Sequence, residues 1–170
     1  MGEVKTSRDM TFPTQHPADL RARTPRLLPQ VETGEEYAAI YRDADVWLPA
    51  MDVICQRHGL DAGQLEFAPA GTHVVFKTKR STTTSPADLY IKLFALPWRE
   101  DFIPERLVLD KLSANFEIPI PRLVAEGEIE GWSYLIMTAV EGVPLCKVWD
   151  ELDSANREHI ATCCGELMAA

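Results

Sequence analysis

One lysine and one glutamate carry the strongest chemical signal in this chain. In Asp88-Leu-Tyr-Ile-Lys-Leu-Phe94 the apolar residues read as a buried strand, and Lys92 is the only formal charge between Asp88 and Arg99. An ammonium in such a segment needs an anion. Past a short loop, Pro104-Glu-Arg-Leu-Val-Leu-Asp-Lys-Leu112 reads as a helix with Glu105 on its opening turn, placed to lie back against the strand. A positive charge held in this way is suited to the oxygens of a phosphate group. The competing readings are a lysine that snorkels to water and an ion pair that serves only the fold.

These two residues need a sheet and a helix to hold them, and the chain supplies both in order. Residues 1–30 carry five basic and three acidic side chains, with Pro13, Pro17, Pro25 and Pro29, and read as a mobile or surface-draped leader in which Arg21, Arg23 and Arg26 are solvated. Thr33-Gly-Glu-Glu36 matches a capping box, so a helix begins there. The apolar residues Ile40, Tyr41, Ala44, Trp47, Leu48, Met51, Ile54 and Cys55 continue it at helical spacing, with a kink or break expected at Pro49 and an end near Gly59. His58, in the last turn, is placed to favour the helix dipole as a cation.

After Gly63 the period becomes strand-like. Leu65–Ala68, Val74–Lys79 and Leu89–Phe94 form an antiparallel meander, joined by Pro69-Ala-Gly-Thr-His73 and by the polar stretch from Arg80 to Pro86. In the first connection Gly71 would let backbone amides of the Gly71-Thr72-His73 turn approach a phosphate, although a plain hairpin turn explains most such dipeptides. Lys77 and Lys79, with Arg80, read as a solvated basic edge that discourages strand pairing. Asp101 is a candidate cap for the following helix, whose buried side would be Leu107, Val108, Leu109 and Leu112.

Ile118-Pro-Ile-Pro121 must be extended. Leu123–Ile129 and Trp132–Thr138 then form a hairpin about Glu130-Gly131, which brings the strands to five. Thr138–Leu145, with Gly142 and Pro144, is a turn-rich connector of the kind that links two lobes and leaves backbone groups free to meet a flat heterocycle. Asp153 or Ser154 caps a last helix with Ile160, Cys163 or Cys164, Leu167 and Met168 on its apolar side. Neither a capping glycine nor a partner helix follows, so a partial chain is expected.

Composition excludes several classes. The 170 residues are 46% hydrophobic and 25% charged, as in a globular protein, and the net charge of −9 disfavours a broad nucleic-acid surface. Neither a long apolar run nor a signal-peptide core occurs, which makes a cytoplasmic protein the expectation. Cys55, Cys146, Cys163 and Cys164 lack paired metal-ligand spacing, and His159 with Cys163 is too few ligands for zinc.

Taken in order, Gly71-Thr72, Lys92, Glu105, Glu130-Gly-Trp-Ser-Tyr-Leu-Ile-Met-Thr138 and Glu141-Gly-Val-Pro-Leu145 resemble the N-terminal lobe of the aminoglycoside phosphotransferase and choline kinase-like family, over about residues 60–170. The resemblance implies an α+β, protein-kinase-like N-lobe, with a five-stranded antiparallel sheet and one inserted helix. An N-terminal helical segment (31–60) would precede the lobe (61–137), and a hinge (138–145) and the first helix of an incomplete C-lobe (146–170) would follow. It further implies that Lys92 contacts the α- and β-phosphates of ATP while Glu105 holds its ammonium, and that Gly71, Thr72 and His73 form the loop over the phosphates. Met137 would edge the adenine pocket, with the Thr138 carbonyl and the Val140 amide as the adenine's partners. The family's His-Gly-Asp segment, with its downstream asparagine and magnesium-binding aspartate, does not occur in these residues. The implied function is therefore the ATP-binding portion of a small-molecule kinase, with the Mg²⁺ ligands and the site for a small hydroxylated acceptor lying elsewhere. The alternative is a non-catalytic kinase-like binding or interaction module.

Overall fold

The computed structural model describes residues 25–69, 71–79, 88–112 and 119–169. Helices α1 (Gly34–Ile40) and α2 (Ala44–His58) come first; strands β1 (Glu66–Phe67), β2 (Val74–Lys79) and β3 (Asp88–Leu93) follow. A 3₁₀ turn (Leu96–Asp101) leads into α3 (Phe102–Leu112), and β4 (Leu123–Ile129) and β5 (Trp132–Thr138) complete one sheet. The strand order is β1-β2-β3-β5-β4 with every neighbour antiparallel, so the fold is α+β with a five-stranded antiparallel sheet. Beyond the sheet lie the short helix α4 (Leu145–Val148) and α5 (Ser154–Ala169), whose start is capped by Asp153 accepting from the Asn156 amide at 2.8 Å.

The capping box forms: Thr33 Oγ1 accepts from the Glu36 amide, and the Glu36 carboxylate accepts from the amides of Thr33 and Glu32. The break in the helical run, however, falls at Tyr41–Asp43 and not at Pro49. Asp43 accepts from the Asp45 amide and starts a new helix, and Pro49 sits inside α2 on its exposed side, where water can take the carbonyl its missing N–H would have satisfied. The helix ends as expected at Gly59, which adopts φ 63°.

Alternation along the strands divides the sheet's side chains between two faces. Val74, Phe76, Leu89, Ile91, Leu93, Trp132, Tyr134 and Ile136 pack against Trp47, Ala50, Met51, Ile54 and Cys55 of α2 in a single core. The last residues of the expected leader belong to it as well: Leu28 is buried, and Glu130 accepts from the amides of Leu27 and Leu28 at 3.1 and 3.0 Å. Residues 1–24 lie outside the described residues, as does the polar stretch 80–87.

On the other face Phe94, Leu135 and Met137 meet α3 through Leu109 and the half-buried Phe102. The expected buried side of α3 needs correction. Leu107 and Val108 are 40% and 50% exposed, because the sheet-facing stripe runs Phe102, Glu105, Leu109 at helical spacing, and three consecutive residues cannot share one face. The side chain of Leu112 lies outside the described residues. In the β4–β5 hairpin, Glu130 and Gly131 both take positive φ (49° and 86°) in the turn, and Gly127 leaves the space that the buried Tyr134 phenol occupies.

Candidate functional site

Strand β3 places Asp88, Tyr90 and Lys92 on the face turned away from α2, with Phe94 just beyond on the same side. Glu105 reaches that face because it lies three residues after Phe102 and four before Leu109 on the packed stripe of α3. The Nζ of Lys92 is 2.5 Å from Glu105 Oε2, with the two side chains 21% and 30% exposed, and it stands 5.1 Å from the centroid of the Phe94 ring. The ammonium is therefore paired and part-buried, and does not snorkel free into solvent.

A cleft of about 480 Å³ opens beside this strand. One wall is Lys77, Asp88 and Tyr90; the other is the backbone leaving β5, from Thr138 to Gly142. The amide of Ala139 is committed to the Asp88 carbonyl at 2.9 Å, and that of Thr138 to the Arg122 carbonyl at 3.0 Å. The Val140 amide takes no partner among the described residues, and Val140 is 42% exposed along the cleft. Met137 lies in register with Tyr90 inside the sheet and is buried at the edge of the α3-side core.

Of the residues singled out from sequence, Thr138 and Val140 line the cleft itself. Lys92 and Glu105 do not line it; Lys92 lies two positions along β3 from Tyr90 on the same face, roughly 7 Å at the rise of a strand. Gly71, at φ 89°, and Thr72 are exposed, whereas His73 is 5% exposed and its Nε2 donates to Asp101 Oδ2 at 3.2 Å. Asp101 is thus no helix cap: it closes the 3₁₀ turn, and its carboxylate is turned to the histidine.

Three cleft residues escape a reading by composition. Lys77, expected in a solvated edge, belongs to an interior strand and pairs with Asp88 at 2.6 Å; this contact raises the lysine above its ordinary value and lowers the carboxyl below its own. Lys79 is exposed, in keeping with the expectation. Tyr90 and Asp88 share the parity of Lys92, which was the one available signal: every second residue on a strand faces the same way.

His58 also departs from expectation. It stands in the last turn of α2, but its Nε2 lies 3.0 Å from the Tyr134 hydroxyl, and burial, then the nearby Arg57, lowers its pKa from the ordinary 6.5, which disfavours the charged ring there. Burial first, then Lys92, also lowers His73. A histidine with a lowered folded pKa contributes stability that is present above the unfolded value near 6.5 and is lost as the pH falls from there toward the folded value. The urea midpoint is accordingly expected to fall as the pH drops below about 6.5, and to fall less in His58→Gln; identical slopes in the two proteins would remove His58 from the linkage.

Among the described residues no three His, Cys, Asp or Glu side chains converge to hold a metal ion. Cys163 and His159 do approach one another, with Sγ 3.8 Å from Nε2. No helix among the described residues is long and apolar enough to cross a membrane. Compared with family models, with curated proteins and with solved structures, the chain matches none, so the site is read from its geometry alone.

Proposed function

We propose that these residues form the nucleotide-binding lobe of a small-molecule kinase of the aminoglycoside phosphotransferase type. The observation that carries this reading is the Lys92–Glu105 pair, part-buried on the same sheet face as Tyr90 and one strand step beyond the cleft at the exit of β5. A purine needs flat apolar walls and edge-on backbone groups, and a polyphosphate needs positive charge that does not wander. Tyr90 offers an aromatic wall, Met137 borders it, the Val140 amide and the Thr138 carbonyl offer the edge, and Lys92, one strand step from Tyr90 on the same face, offers the fixed charge that phosphates need. Exposed Gly71 and Thr72 supply a turn whose amides could close over them.

No transfer step is assigned to the described residues, among which no three His, Cys, Asp or Glu side chains converge. Phosphorylation of a small hydroxylated acceptor belongs to the proposed kinase reading as a whole; for the described residues the reading is ATP binding. A second reading, a kinase-like module that binds without catalysis, draws on the lack of a His-Gly-Asp segment in the 170 residues. Thermal unfolding with increasing ATP tests the shared premise, because a ligand bound only by the native state raises the midpoint. A rise that saturates with ATP is expected. An unmoved midpoint at millimolar ATP would leave Lys92–Glu105 as a structural ion pair in a small α+β domain.

A further inference from the structure

His73 and Asp101 are absorbed by neither the cleft nor the Lys92–Glu105 pair, and they are unusual in what they join. His73 ends the Gly71-Thr72 turn; Asp101 closes the 3₁₀ turn that feeds α3. Their side chains meet at 3.2 Å, with the histidine side chain 6% exposed. The His73 ring also packs against Phe94 with centroids 4.7 Å apart, and Phe94 packs edge-on against Phe102, the first residue of α3, at 5.4 Å. The same Phe94 ring stands beside the ammonium of Lys92. One aromatic side chain therefore touches the turn, the helix start and the lysine.

Among the described side chains the apolar hold on α3 is thin: Leu109 is buried and Phe102 half-buried, while Ile103, Leu107 and Val108 face solvent. Polar links must then do much of the positioning, and two of them tie α3 to the β2–β3 part of the sheet: Glu105 to Lys92 and Asp101 to His73. The protonation of the histidine is set by its surroundings. A carboxylate oxygen can only accept, so Nε2 carries the hydrogen, while Nδ1 is buried without a partner among the described residues and would gain no acceptor there if protonated.

We infer that His73 and Asp101 form a latch that sets the Gly71-Thr72 turn and α3 as one unit, so that the turn and the Lys92–Glu105 pair come into position together. The two residues are positioning residues, acting through the turn amides and Glu105. The effect on nucleotide rests on the reading proposed above, and the mechanical coupling does not. Breaking the latch loosens the turn and the helix start but leaves Tyr90 and the β5 exit in place, so it weakens binding through the phosphates and spares the base.

Titration of the full chain with ATP and with adenosine, in the wild type, Asp101→Ala and Asp101→Asn, reads this directly. Asp101→Ala is expected to weaken ATP by roughly five- to tenfold with adenosine unchanged, and Asp101→Asn, which keeps an oxygen to accept from Nε2, to restore ATP binding. In hydrogen exchange the amides near residues 71–76 and 102–109 are expected to lose protection together in Asp101→Ala, while those of β5 hold. Equal losses for ATP and adenosine, failure of the asparagine to restore binding, or loosening of only one of the two segments would overturn the latch. If the wild type binds neither ligand, the nucleotide reading falls and exchange alone decides: joint loosening supports the latch, and any other pattern overturns it.

Discussion

Lys92→Ala is expected to weaken ATP binding by about 10- to 100-fold, the worth of one charge-assisted hydrogen bond to a phosphate. Lys79→Ala is the matched control, because Lys79 lies on the neighbouring strand β2 with its side chain exposed, and it should leave the affinity unchanged. The comparison separates a placed ammonium from general attraction between basic residues and an anion, which salt screens and which both lysines would supply. Glu105→Gln should fall between the two, since it keeps the lysine but removes the charge that holds it at 2.5 Å. Isothermal titration with ATP measures all three. Equal losses at Lys92 and Lys79 would strip Lys92 of its role as the phosphate contact.

Trp47→Ala should be the most damaging single change to the fold, at about 3–5 kcal/mol. Trp47 is wholly buried; its ring packs on Trp132 of β5 at 5.7 Å and on Tyr37 of α1 at 5.9 Å, and its Nε1 donates to the Tyr41 carbonyl at 3.2 Å. Truncation opens a cavity between α2 and the sheet and leaves that carbonyl without its donor. A loss of that size is a large part of the stability of an ordinary domain. Urea unfolding followed by circular dichroism measures it. The result bears on the site because α2 covers the face of β3 opposite Lys92, so its packing keeps the strand that presents Tyr90 and Lys92 in place. A cost under about 1 kcal/mol would mean that the helical segment is an appendage to the sheet rather than half of its core.

Local chemistry made several features legible. The Thr33–Glu36 capping box, the glycine that ends α2, the Glu130-Gly131 turn and the start of α5 at Asp153 each involve groups a few residues apart, so their partners can be read off the chain. The same holds for strand alternation, which marked β2, β3 and β5 before any pairing was known. The break before α2 was missed because Pro49 is the louder signal, yet α2 carries that proline on its exposed side, where water can reach the carbonyl left without a donor, and Asp43 supplies the cap.

From sequence alone come five antiparallel strands, an inserted helix and a lysine that required a carboxylate, because periodicity and the cost of a lone buried charge act through a residue's own type and its near neighbours. Tertiary structure alone decided the rest: that Asp101 turns to His73 instead of capping a helix, that His58 meets the Tyr134 hydroxyl, that Lys77 pairs with Asp88 at a cleft, and that Leu107 and Val108 face outward. Each of these depends on which face of one element meets which face of another. That choice is made by packing between residues far apart in the chain, and no local pattern encodes it.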